Sequence, residues 1–174
     1  VLAVNDTVAL AHVGDSRIYR IRDGQIVQLS RDHSVVQQQV DRGIISPEEA
    51  HDSQYRHLIT RALGLKDSVE VGLAEEPLLP GDILLLCSDG LSDLLEDEEI
   101  LDIVREHADD LEKACQTLVD QANHKGGDDN ITAMLIQARA GSDLAGIPPT
   151  QGATQGVPGG RPGVIERLRE MLGR

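Results

Sequence analysis

Apolar and polar positions alternate through the first thirty residues. Thr7 to Val13 is a β-branched and apolar run ending at Gly14-Asp15-Ser16. Arg17 to Arg22 alternates, with Ile18 and Arg20 on one face and Tyr19 and Ile21 on the other. Asp23-Gly24 separates this run from Gln25 to Leu29. Asp-Gly between two strand-like runs predicts a hairpin, because the tight turn needs positive φ. Val69 to Leu73 predicts a further strand, and Asn130 to Gln137 the last one. Between them, Pro80-Gly81-Asp82 reads as a turn, and Ile83-Leu84-Leu85-Leu86-Cys87 is continuously apolar. Such a run suits a central strand covered on both faces.

Helical signals come in sequential pairs. Residues 34–43 predict a short helix stopped by Gly43, and Ser46-Pro47-Glu48-Glu49 is a helix start with a Ser cap, Pro at the first position and Glu three residues on. His51 to Arg61 is polar and predicts an exposed excursion. Asp97 is expected to cap Glu98 to His107, and Asp109 or Asp110 to cap Leu111 to His124. In the latter, Leu111, Ala114, Cys115, Leu118, Val119 and Ala122 form one apolar stripe that Gly126-Gly127 stops. Strands outnumber helices. The fold class expected is α+β, layered on antiparallel sheet.

Composition narrows the function classes. The chain has 174 residues, 40% of them apolar, which suits one domain with a real core and rules out a disordered acidic polymer. Two Tyr and no Phe or Trp make that core aliphatic and leave no platform for stacking bases. Thirty acidic against 16 basic side chains argue against a phosphate-backbone partner, so no nucleic acid is expected. Cys87 and Cys115 sit in apolar patterns and read as small core residues. No leader pattern and no apolar run near the ~20 residues of a membrane span are found, so a cytoplasmic monomer is expected. Residues 1–138 carry 11 basic and 27 acidic side chains and form the expected domain. Residues 139–163 read as a flexible Gly/Pro-rich linker, and 164–174 as a short amphipathic helix with Val164, Ile165, Leu168, Met171 and Leu172. The chain begins with Val1 and opens inside a strand-like run, which points to a fragment.

Candidate chemistry lies in aspartates beside glycine at strand ends. Three segments qualify: Gly14-Asp15-Ser16-Arg17, Ser88-Asp89-Gly90-Leu91-Ser92-Asp93, and Gly126-Gly127-Asp128-Asp129-Asn130. A carboxylate there has a rigid support, and glycine permits close approach of backbone or ion. Clustered carboxylates are hard-oxygen ligands suited to Mg²⁺ or Mn²⁺. Taken singly, each is equally ordinary turn chemistry, and Asp93 a helix N-terminal acid. Residues 85–96 do not form a calcium loop, since Leu85 stands where Asp is needed. No phosphate-loop lysine, dinucleotide glycine fingerprint or nucleophile elbow occurs. The six His are scattered; His33, His51 and His57 read as solvated loop residues and His12 as strand-packed. Arg17 is expected to anchor a loop through a carboxylate.

Taken together, AHVGDSRIYRIRDGQIVQLSRDHS, ITRALG, PGDILLLCSDGLSDLLEDEEI and GGDDNIT resemble, in order and spacing, the PPM family of metal-dependent serine/threonine protein phosphatases, bacterial members above all. The resemblance covers residues 1–138 and matches the family's second half. It implies a β-sandwich of two antiparallel sheets flanked by helix pairs, with a dinuclear Mn²⁺ or Mg²⁺ centre at one end. By that resemblance Asp89 and Asp129 are metal ligands, while Asp15 and Asp93 match positions that help hold a third, weaker metal. Residues of about 31–60, with Arg31, His33, Arg42, Arg56 and His57, match the variable flap beside the active site. The implied activity is hydrolysis of phosphoserine or phosphothreonine in proteins by a metal-activated water. The implied partners are phosphorylated proteins and a serine/threonine kinase. The family's first half, including the carboxylate that bridges the two metals, has no counterpart here, so this chain alone is not expected to be an efficient enzyme. The competing readings are a non-catalytic phosphatase-like module that binds a phosphoprotein or kinase, and a plain divalent-cation binding domain.

Overall fold

A computed structural model describes residues 1–4, 6–127 and 129–140. Asp128, the linker beyond Ala140 and the expected helix at 164–174 lie outside the described residues. Seven strands and five helices follow one another in the order β1 Leu2–Val4, β2 Thr7–His12, β3 Arg17–Arg22, β4 Gln25–Gln28, α1 Val35–Asp41, α2 Pro47–His51, β5 Gly72–Pro77, β6 Ile83–Cys87, α3 Asp89–Ser92, α4 Asp97–Glu106, α5 Leu111–His124 and β7 Ala133–Gln137.

The strands form two antiparallel sheets, β1-β2-β5 and β4-β3-β6-β7. The expected hairpin joins β3 to β4, with Asp23 at φ 50° and Gly24 at φ 73°. The continuous apolar run is β6, paired with β3 on one side and β7 on the other. Both its faces are covered, which is why it lacks alternation. Leu84 packs with Ile18, Val8 and Leu10 between the sheets. Leu85 and Cys87 pack with Tyr19, Leu91, Ile100, Val104 and Leu118 between the four-stranded sheet and the helices. The result is sheet on sheet on helices, an α+β sandwich. At its margin Met134 and Ile136 of β7 lie opposite Leu86 and Leu84, hence on the inter-sheet face, yet are 55% and 40% exposed. The three-stranded sheet does not reach that far.

Three expectations shift. The strand expected at Val69–Leu73 is β5, Gly72–Pro77, because its register is set by β2: His12 pairs with Gly72 and Thr7 with Pro77. The His12 ring lies over Gly72, where a Cβ would stand 2.4 Å from it unless the ring turned away. Asp97 is not the cap of α4: Glu96 takes that position, its side chain and that of Glu99 closing a reciprocal capping box. The last strand starts at Ala133 rather than Asn130, because residues 130–132 are engaged by the loop after β6. Asp110, by contrast, caps α5 as one of the two residues expected, its carboxylate accepting from the Lys113 N–H.

A buried ion pair closes the far end of the larger sheet. Asp82 is 1% exposed and accepts 2.6 Å hydrogen bonds from Arg22 Nε and Nη2, and another from the Leu79 N–H. The Arg22 guanidinium holds the Asp82 carboxyl below its ordinary value.

Candidate active site

Register alone gathers the aspartate segments. Arg17, the first residue of β3, pairs with Cys87, the last of β6, and Cys87 pairs with Ala133, the first of β7. The segments holding Asp15, Asp89 and Asp129 therefore leave the same end of one sheet. Asp15 sits where the chain crosses from the smaller sheet to the larger. Asp89 and Asp93 begin and cap the single turn of α3, four residues apart.

Two of these loops are locked together. Ser88 Oγ donates to the Asn130 carbonyl at 2.9 Å and accepts from the Thr132 N–H at 3.0 Å, and Ser88 N–H donates to the Thr132 carbonyl at 3.1 Å. Gly90 lies so close that a Cβ would stand 2.7 Å from the Asn130 carbonyl oxygen. Each acid also turns one carboxylate oxygen onto its own loop: Asp89 accepts from the Gly90 N–H and Asp129 from the Asn130 N–H. Among the described residues, the second oxygen of each accepts no hydrogen bond from its own loop.

A cavity of about 300 Å³ opens at this end, with Asp15, Asp32, Asp89 and Asp93 in its wall and residues of the excursion as its other side. An adjoining one of about 230 Å³ is lined by Asp89, Asp93 and Asp129 with Arg56 and His57. Burial, then the negative charge of Asp89, and further that of Asp32 and Asp93, push the Asp15 carboxyl above its ordinary value. Crowded carboxylates short of positive charge are what a hard dication would relieve. Among the described residues, however, no group of three or more His, Cys, Asp or Glu converges closely enough to hold a metal. The donor chemistry fits Mn²⁺ or Mg²⁺, and these residues form part of a shell rather than a closed cage.

Arg17 anchors a loop through a carboxylate, as expected. Its Nε and Nη2 reach the Asp32 carboxylate at 2.8–3.2 Å, its Nη1 donates to Tyr19 Oη, and Gln28 adds a further bond to Asp32. The histidines are less idle than expected. His33 stacks on His12 with ring centroids 4.7 Å apart, accepts from the Gly14 N–H and is bonded by Arg61, so it is a structural residue and not a solvated one. Burial and the Arg61 charge hold it below the ordinary histidine value. His51 is exposed, as expected, and its Nε2 lies 3.3 Å from Glu96 Oε1. His57 is exposed, yet it reaches across to the acids: Arg56 Nε donates to its Nε2, leaving the ring proton on Nδ1, which lies 3.1 Å from Asp93 Oδ2. In the sequence, Asp32 stands only at the start of the flap stretch of about 31–60, and Arg56 and His57 only within the polar excursion.

Comparison with known proteins agrees with this architecture. The family model for protein phosphatase 2C matches residues 80–131. The serine/threonine protein phosphatase PstP of Mycobacterium tuberculosis is 41% identical over 135 residues, 78% of this chain and 26% of that protein. The protein phosphatase PhpP of Streptococcus pneumoniae is 42% identical over 137 residues, 78% of this chain and 55% of that one. The crystal structure of the Mycobacterium tuberculosis enzyme superimposes with a TM-score of 0.75 at 40% identity, over 80% of this chain and 58% of its own. The catalytic domain of PstP in complex with two manganese ions does so with 0.68 at 37%, over 80% and 56%. The chain thus spans little more than half of these domains. By sequence and by fold, these residues are similar to part of the PPM family of protein phosphatases.

Proposed function

We propose that the protein to which this chain belongs hydrolyses phosphoserine and phosphothreonine in other proteins. The observation that carries this reading is the convergence of Asp15, Asp89, Asp93 and Asp129, from three separate chain segments, on the walls of two adjoining cavities. Asp89 and Asp129 would hold the two Mn²⁺ or Mg²⁺ ions on this side, and Asp15 with Asp93 a third, weaker one. When bound, such ions lower the pKa of water to roughly 7 and neutralise charge on phosphoryl oxygens. The protein's part is positional. The Ser88–Asn130 lock fixes the spacing of Asp89 and Asp129, and the Arg17–Asp32 pair fixes the near end of the flap beside them.

Residues 1–138 are read as this portion of the domain, with 31–60 as the flap, followed by a linker to 163 and an amphipathic end. A cytoplasmic monomer acting on phosphorylated proteins, with a serine/threonine kinase as counterpart, is the setting that fits. No helix among the described residues is long and apolar enough to cross a membrane. The test is turnover of a phosphothreonine peptide by the full-length protein in Mn²⁺, with and without Asp89→Asn. We expect the substitution to abolish turnover. No metal-stimulated turnover in the parent would sink the reading. One observation favours the alternative of a non-catalytic module binding a phosphoprotein or kinase: the absence of a closed metal cage among the described residues. In that case Asp89→Asn leaves partner binding intact and there is no turnover to lose.

A further inference from the structure

The cavity beside the aspartates has a charge imbalance with one exception in its wall. Its four carboxylates, Asp15, Asp32, Asp89 and Asp93, face two guanidinium groups, Arg17 and Arg56. Arg17 is spent: three of its contacts run to the Asp32 carboxylate. Arg56 is not. Its Nε donates to the neutral ring nitrogen of His57 at 3.1 Å, and its Nη1 to the His51 carbonyl at 3.4 Å. Among the described residues it forms no ion pair, and its Nη2 has no partner. Every other Arg of residues 17–61 except Arg42, which does not line this cavity, is tied to an acid. The half-buried Arg56 also lines the adjoining cavity with Asp89 and Asp129, so its guanidinium, with Nη2 free, borders both cavities beside the aspartates.

We propose that Arg56 is an anion-docking residue: it takes an oxyanion of the incoming phosphoprotein, the phosphate itself or a carboxylate flanking it. A guanidinium held by two neutral acceptors keeps its full charge and a free edge, and that edge matches a carboxylate or phosphate in a two-point bond. An acidic domain repels such a substrate everywhere else, so one uncompensated cation beside the site selects where the anion lands. This assignment rests on the phosphatase reading for its substrate, but a binding measurement tests it separately.

The experiment uses the full-length protein with three substrates: a phosphothreonine peptide with acidic flanks, the same peptide with neutral flanks, and p-nitrophenyl phosphate. Binding of the two peptides, labelled with a fluorophore, is followed in parallel by anisotropy. Arg56→Gln is expected to weaken binding and raise KM roughly tenfold for the acidic-flanked peptide, and Arg56→Lys to restore part of it. If only that peptide is affected, the docked group is the flanking carboxylate. If p-nitrophenyl phosphate is affected equally, it is the phosphate. If neither KM nor peptide binding changes in Arg56→Gln, the proposal is overturned. If the parent turns over none of the three, the phosphatase reading fails, and anisotropy alone decides on Arg56.

Discussion

Replacing Gly90 with alanine tests whether the loops bearing Asp89 and Asp129 are held by close backbone approach. The added Cβ would stand 2.7 Å from the Asn130 carbonyl oxygen and 3.1 Å from its carbon, both backbone atoms. Relief to an ordinary contact needs a shift of about 0.7 Å, which a side-chain rotation cannot supply. Moving the 129–130 segment lengthens the 2.9 Å Ser88–Asn130 bond and strains the Thr132–Ser88 bond. Two hydrogen bonds at about 1 kcal/mol each, and overpacking of about 1–3 kcal/mol, oppose a gain of about 1 kcal/mol from alanine's better helix propensity. The net loss is about 2–4 kcal/mol, or roughly 4–16 °C of Tm for a domain of this size. Thermal unfolding of the full-length protein measures it, and metal-stimulated turnover should fall further than stability does because Asp129 moves from Asp89. Ser88→Ala, which removes the same two bonds without a clash, should lose less. A Gly90→Ala protein that melts within about 1 °C of the parent and keeps its turnover would refute the reasoning.

Two further outcomes concern charge. Asp82 has a folded value held below the ordinary 3.8 by Arg22, so the unfolded chain binds the proton more readily; the pair stabilises fully above the ordinary value and its contribution is lost as pH falls through the depressed one. Acid titration of stability should therefore flatten in Asp82→Asn, alongside a lower Tm at neutral pH. Asp15 is displaced upward, so in metal-free protein its ionisation costs stability as pH rises past the ordinary value. Asp15→Asn should raise the Tm measured in chelator at neutral pH and shrink the further rise that Mn²⁺ brings to the parent.

Much of this molecule can be read before it folds, for reasons that differ by element. The Asp23-Gly24 hairpin and the β6 run carry their signal locally, in a turn that needs positive φ and in a strand with two buried faces. The stripe on α5 is equally local: Ala114, Leu118 and Ala122 are its buried positions. Strand β5 misleads because Glu75, Glu76 and Pro77 have poor strand propensity; pairing with β2 overrides it. The same division holds at the site. That Asp15, Asp89 and Asp129 sit at strand ends is visible in the residues, whereas their meeting depends on the register of β3, β6 and β7. Arg17 has Asp32 fifteen residues away and His57 has Asp93 thirty-six away in another element, and no spacing rule announces either.

The overhang of β7 beyond the smaller sheet bears on how the molecule behaves at high concentration. Met134 and Ile136 offer apolar side chains beside a strand whose outer edge has no partner among the described residues. An uncharged, partly apolar strand margin of this kind templates pairing with another chain. The monomer proposed above thus depends on something covering that margin, and where it is bare, self-association through β7 is the failure mode to expect.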